Sequence, residues 1–212
     1  ITDGTGSTMN GDDRWTDALS HRLHALYGRR VAVVNAGIGG NRVTTPARYS
    51  IDAPIPGGPS ALERLERDLL AISGLRAAIW LEGINDIGTG EATADQITAG
   101  LRSGVARIRS AGVRAIGATI VSALGADTPH GTARGDAIRR AVNDWIRAPG
   151  SYDAVVDFDA ATRDPATGAL RPEFQPNGTI GGPGDRLHPN RAGYLAMAAA
   201  VDPAILAIPP GP

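Results

Sequence analysis

Residues 75–88 read Leu-Arg-Ala-Ala-Ile-Trp-Leu-Glu-Gly-Ile-Asn-Asp-Ile-Gly. The apolar run Leu75 to Leu81 has the length and composition of a buried strand, and Glu82 to Gly88 reads as the loop that follows it. Helix signals come next. Thr93 and Gln96 have capping-box spacing, and Ile97, Leu101, Val105 and Ile108 recur at the helical interval up to Gly112. Val113 to Val121 is predicted as another strand. Strand–helix–strand alternation of this kind predicts a parallel sheet covered by helices on both faces.

The same alternation extends to both ends of the chain. Upstream, Asp12-Asp13 precede an amphipathic run that places Trp15, Leu19, Leu23 and Leu26 on one face and closes at Gly28. Val31 to Asn35 is predicted as a short buried strand ending in a glycine-rich turn. A Pro- and Gly-rich loop, Thr44 to Pro59, leads to Ser60 and Glu63, a second capping-box pair. The helix they open turns Leu62, Leu65, Leu69 and Ile72 inward and stops at Gly74. Downstream, a helix around Ile138 to Ile146, a strand Ala154 to Phe158 and a helix after Pro189 complete the series.

With 212 residues, no repeat and no evident linker, one domain spanning 1–212 is expected. A net charge of −1 gives no electrostatic footprint for nucleic acid or an anionic membrane, so neither is an expected partner. No apolar run approaches the roughly 20 residues that span a bilayer. The chain has no cysteine, which excludes disulfides, thiolate metal sites and cysteine nucleophiles. The compartment stays open; secretion is compatible, and no signal region is visible. Every cation is arginine, which we read as base composition.

One element is missing from the pattern. The first helix follows no strand, yet in a doubly wound sheet the first strand is normally central. The opening Ile1-Thr2-Asp3-Gly4 carries no hydrophobic strand, and the Pro-rich stretch after Asp202 does not supply one. The expectation is a first strand upstream of Ile1.

In parallel sheets, ligands bind where the strands end on their carboxyl side. Three loops there hold unusual residues. Asn35-Ala36-Gly37-Ile38-Gly39-Gly40-Asn41 follows a predicted strand, but Arg42 stands where a dinucleotide fingerprint needs its third glycine, and prolines replace the helix. A turn requiring positive φ accounts for it equally well. In Gly83-Ile84-Asn85-Asp86, Asn85 can present its amide to a developing oxyanion; an Asx-turn closing the strand is the plainer reading. In Asp185-Arg186-Leu187-His188-Pro189, a carboxylate three residues before a histidine can meet the imidazole Nδ1–H and leave Nε2 as a general base. By composition this spacing arises by chance ~0.3 times in such a chain, so alone it is weak.

His21, His24 and His130 share no recognised metal-ligand spacing with His188, and no metal is expected. Trp15, Trp80 and Trp145 fit packing positions. Glu82 reads first as a salt-bridged structural residue and second as a pocket wall.

In this order the three loops resemble the SGNH hydrolase family, the GDSL esterases and lipases. Ile1-Thr2-Asp3-Gly4-Thr5-Gly6 resembles the stretch immediately after that family's catalytic serine. Gly40 matches its oxyanion glycine, Asn85 its G-x-N-D asparagine, and Asp185 and His188 its D-x-x-H pair. The likeness covers essentially the whole chain. It implies a three-layer α/β/α, flavodoxin-like SGNH fold and a triad of Asp185, His188 and a serine immediately before Ile1. The oxyanion hole would comprise Gly40, Asn85 and the serine N–H, with no cofactor. Ser7 and Ser122 lack the context of that nucleophile.

The stretch from Trp80 to Gly88 is similar to the branch with xylan and carbohydrate acetylesterases, which implies short-chain, acetyl esters of small molecules or carbohydrates. Few aromatics and no lid-like insertion point the same way. Two other classes remain open: an inactive relative serving as a binding or interaction module, and a flavodoxin-like nucleotide or flavin binder, for which no phosphate-cradling loop is evident.

Overall fold

In the computed structural model, residues 1–89, 91–175 and 184–208 are described. Three parallel strands, β1 (Ala77–Trp80), β2 (Arg114–Ala118) and β3 (Ala154–Val156), lie in that order. The pairing is in register from Ala77↔Arg114 to Trp80↔Gly117 and from Ile116↔Ala154 to Ala118↔Val156. The helices are α1 (Trp15–Tyr27), α2 (Ala61–Leu65), α3 (Ile84–Gly88), α4 (Ala94–Ser110), α5 (Ala133–Arg147), α6 (Phe158–Thr162) and α7 (Arg191–Ala200). A π-helical turn, Glu66–Leu70, continues α2.

Helices cover both faces, as the alternation predicts. On one face, Trp80, Leu101, Val105, Ile108, Val142 and Ile146 form a buried cluster of β1, α4 and α5 residues. On the other, Leu19 and Leu23 of α1 meet Ile116, Val156, Phe158 and Met197. Trp80 packs so closely on α4 that a Cβ at Gly104 would stand 2.1 Å from its ring. Trp15 is buried against Phe158, ring centroids 5.2 Å apart. Trp145 is half-buried, edge-on to Tyr152 at 5.7 Å.

The capping signals are realised in different ways. Thr93 and Gln96 close their box in both directions, at 2.9 and 3.3 Å. Ser60 Oγ accepts from Glu63 N, but the Glu63 carboxylate turns to Tyr49 N instead of back to residue 60. Helix α1 begins with an Arg14–Asp17 pair at 2.6 Å rather than with Asp12-Asp13, and Leu26 lies on its exposed side.

A dense ion network ties α5 to the carboxyl ends of β2 and β3. The Arg139 guanidinium, 2% exposed, donates to Asp136, Asp159 and the Ile120 carbonyl. Arg147 reaches Asp157 at 2.8 Å and Asp159 at 3.0 Å.

Two expectations need correction. Val31 to Asn35 is not a strand. A strand is defined by a hydrogen-bonded neighbour about 4.8 Å away, and here a cavity of about 750 Å³ separates this segment from β1. Val31, Val33, Leu19, Leu65, Ile79 and Leu81 are among its walls. The loop expected over Glu82 to Gly88 contains one helical turn, α3, which starts after Gly83 at φ +118°.

Candidate active site

The loop before α7 is fixed at both ends. Asn190 caps α7 by accepting from Gly193 N, while its amide donates to the carbonyls of Glu173 and Gln175, each at 3.0 Å. Leu187 is buried, and Arg186, in the left-handed region at φ +59°, donates to the Gly125 carbonyl. Between these anchors the chain turns so that Asp185 Oδ2 meets His188 Nδ1 at 2.5 Å. Asp185 Oδ1 accepts from the backbone N–H groups of Leu187 and His188, at 3.0 and 2.8 Å. Burial opposes the Asp185 charge, but the His188 ring and these N–H groups outweigh it and hold the carboxyl well below the usual carboxylate range. The His188 side chain stays 21% exposed, so its ring is open to a reacting group.

The second part of the site joins two loops. Asn85, in α3, donates one amide hydrogen to the Asn41 carbonyl at 3.0 Å. Its second N–H remains for another acceptor. Both oxygens of Asp86 accept from Val43 N at 2.9 and 3.0 Å, and burial pushes that carboxyl up to about 6 despite these bonds. Gly40, at φ +78°, lies next to Asn41 and packs on Gly57, where a Cβ would stand 2.2 Å from the Gly40 carbonyl oxygen. At Gly37 a Cβ would stand 2.6 Å from Asp3 N, so the residues after Ile1 cross this loop in close contact.

Those first residues are tied down. The Tyr194 hydroxyl of α7 lies 3.0 Å from the Ile1 carbonyl and 2.6 Å from that of Thr5, and Trp15 Nε1 donates to Thr2 Oγ1. A small depression of about 30 Å³ lies where Ile1 and Asp3 meet Ile38, Ile84, Asn85 and Ile120. His130 links the two halves of the site. Its buried ring presses on Gly88 of α3, and burial, with the nearby His188, lowers its basicity.

Glu82 answers to both of its expected readings. It pairs with Arg64 at 3.3 Å and it borders the depression. Burial pushes its carboxyl up to about 8 from the ordinary 4.5, against the pull of Arg64. Between those pH values the folded chain holds a proton that the unfolded chain has released, so this group makes stability fall as pH rises. Glu82→Gln removes that titration while keeping an acceptor for Arg64. Melting curves should show the variant near wild type at about pH 4.5 and increasingly above it toward about pH 9. A wild type that gained on the variant with rising pH would contradict this.

The model of the GDSL-like lipase/acylhydrolase family matches residues 1–196. The chain belongs to that family. This GDSL-family protein is thus a carboxylic ester hydrolase by class. No curated protein matches its sequence. Solved structures do share its fold. A GDSL-like lipase from Bacteroides thetaiotaomicron is 18% identical, with 93% of this chain and 89% of that one covered and a TM-score of 0.64. An acetylxylan esterase from Geobacillus stearothermophilus is 24% identical, over 88% and 78%, with a TM-score of 0.62. A carbohydrate acetylesterase from Sinorhizobium meliloti is 14% identical, over 89% and 82%, with a TM-score of 0.59.

In the GDSL-family chain, Asp185 and His188 are in direct contact, and Asn85 touches the loop that holds Gly40. From that loop Gly37 and Ile38, not Gly40, border the depression. Ser122 is fully buried, its hydroxyl donating to the Gly168 carbonyl. Among the described residues, no helix is long and apolar enough to cross a membrane. Asn41, Asp86 and Arg64 complete the site without having been singled out in the sequence. Asn41 and Asp86 at least adjoin the motif residues, whereas Arg64 sits in an ordinary helical pattern.

Proposed function

We propose that the protein is a serine ester hydrolase that removes short acyl groups, acetyl foremost, from small-molecule or carbohydrate esters through an acyl-enzyme. The observation that carries this reading is the Asp185–His188 pair, with His188 open to a reacting group, alongside the Asn85–Asn41 contact. His188 Nε2 takes the proton of a serine hydroxyl as its oxygen attacks the ester carbonyl, then returns it to the departing alcohol. Water repeats the sequence on the acyl-enzyme. Asp185 holds the imidazole in the right tautomer. The free N–H of Asn85 and backbone N–H groups, that of Gly40 among them, receive the oxyanion.

The nucleophile, in this reading, is a serine immediately before Ile1, on an extended segment lying in the cavity beside β1. Two observations support that placement. Ile79, Leu81, Val31 and Val33 make the cavity walls apolar, as a buried parallel strand requires. Thr2, Gly37, Leu81 and Glu82 border both that cavity and the small depression, so the two spaces adjoin.

The short acyl group is favoured because the chain has few aromatic residues and no lid-like apolar insertion to hold a long alkyl chain. The acetylesterases among the fold relatives favour a carbohydrate ester. The test is a fluorophosphonate probe on the full-length natural chain, with a series of acyl esters. The expected results are a label on the serine before Ile1 and rates that fall from acetyl to octanoyl. A folded full-length chain that takes no label would overturn the reading in favour of a binding module, and a rise toward octanoyl would overturn the acyl assignment.

A further inference from the structure

The Arg64 guanidinium is 8% exposed and has four partners converging from different parts of the site. Nε donates to Asn41 Oδ1 at 2.8 Å and Nη1 to the Ala36 carbonyl at 2.7 Å. Nη1 also meets Asp68, in the π-helical turn after α2, and Nη2 meets Glu82 after β1, each at 3.3 Å. Asn41 in turn spends both amide hydrogens on the carbonyls of Gly57 and Pro59, at 2.7 and 2.6 Å, and its own carbonyl receives Asn85 Nδ2. Every polar atom of Asn41 outside its N–H is therefore bonded to a neighbour that Arg64, the Gly57 loop or Asn85 provides.

From this geometry we infer that Arg64 is a positioning residue for the oxyanion hole. It fixes Asn41, and through the Asn41 carbonyl it aims the Asn85 amide. The guanidinium is suited to this because its planar fork holds several acceptors at fixed angles, which an ammonium group cannot do. The Ala36 bond extends the hold to the start of the Gly40 loop, so one side chain sets the spacing between that loop and α3. Arg64 itself touches no reacting atom. The inference rests on the proposed oxyanion role of Asn85.

The test uses the full-length chain with Arg64→Met, and Arg64→Lys as a second variant that keeps the charge but loses the fork. Both should lower kcat by ~10- to 100-fold, the scale of a lost buried hydrogen bond to a charged group, with KM within about threefold. In an Asn85→Ala background, itself expected to cost ~10²–10³ in kcat, Arg64→Lys should cost less than about threefold, because the donor it aims is already gone. Equal costs in both backgrounds would overturn the inference by showing a general structural effect. A second readout does not need hydrolysis: the Asn85 side-chain amide signals in a ¹H–¹⁵N spectrum should shift in Arg64→Lys. Unmoved signals would overturn the inference even if the wild type hydrolysed no ester, an outcome that would separately sink the functional reading.

Discussion

Replacing His188 with alanine in the full-length chain should lower kcat for an acetyl ester by about 10⁵–10⁶-fold, since the unit that activates the serine acts as one. No other described side chain stands ready to take over. His130 lies close enough to feel the charge of His188, but its ring is buried against Gly88 and its basicity is lowered, first by burial and then by His188. The fold should survive the change. His188 contributes one side-chain hydrogen bond, and the backbone N–H groups of residues 187 and 188 still satisfy Asp185 Oδ1. Steady-state rates, with a melting curve to show intact structure, check the prediction. Activity within tenfold of wild type would remove His188 from the mechanism.

Asp185→Asn should cost about 10⁴-fold in kcat, the scale reached when the base of a triad is held in the wrong tautomer. The local geometry gives a specific reason. Asp185 Oδ1 accepts from two backbone N–H groups, so an asparagine there must keep its carbonyl oxygen on that side. Its NH₂ is then directed at His188 Nδ1, now 2.5 Å from Oδ2. The ring must accept at Nδ1 and carry its proton on Nε2, where it cannot take another. Asp185→Ala, which forces no tautomer, should be less impaired than Asp185→Asn. Comparing the two variants at one pH decides the point, and an alanine variant slower than the asparagine one would refute the tautomer argument.

How much of this was legible in the sequence depended on whether a feature is local. The spacing of Ile97, Leu101, Val105 and Ile108 predicts α4 and its buried face, and all four side chains are buried. The Asp185–His188 contact was legible because both partners lie in one turn. Strands were harder. Val113 to Val121 and Ala154 to Phe158 shorten to Arg114–Ala118 and Ala154–Val156, because Asp157 leaves the sheet to cap α6. Val31 to Asn35 has strand-like residues, but a strand is a property of a pair, and the neighbouring position is the cavity. Arg64 was invisible for a related reason. An arginine on a helix is ordinary until Ala36, Asn41 and Glu82 are brought to it from elsewhere in the chain.

The network that joins α5 to β2 and β3 bears on how the protein meets alkaline conditions. Its cations, Arg139, Arg147 and Arg163, are all guanidinium groups. Donating to the Asp157 and Asp159 carboxylates raises Arg147 further still. A lysine clamp would begin to discharge near pH 10, whereas guanidinium keeps its proton beyond the point at which simple esters hydrolyse unaided. This side of the molecule should therefore outlast its substrate in base. Any alkaline inactivation would begin beyond the end of β1, where Glu82 must ionise beside Arg64.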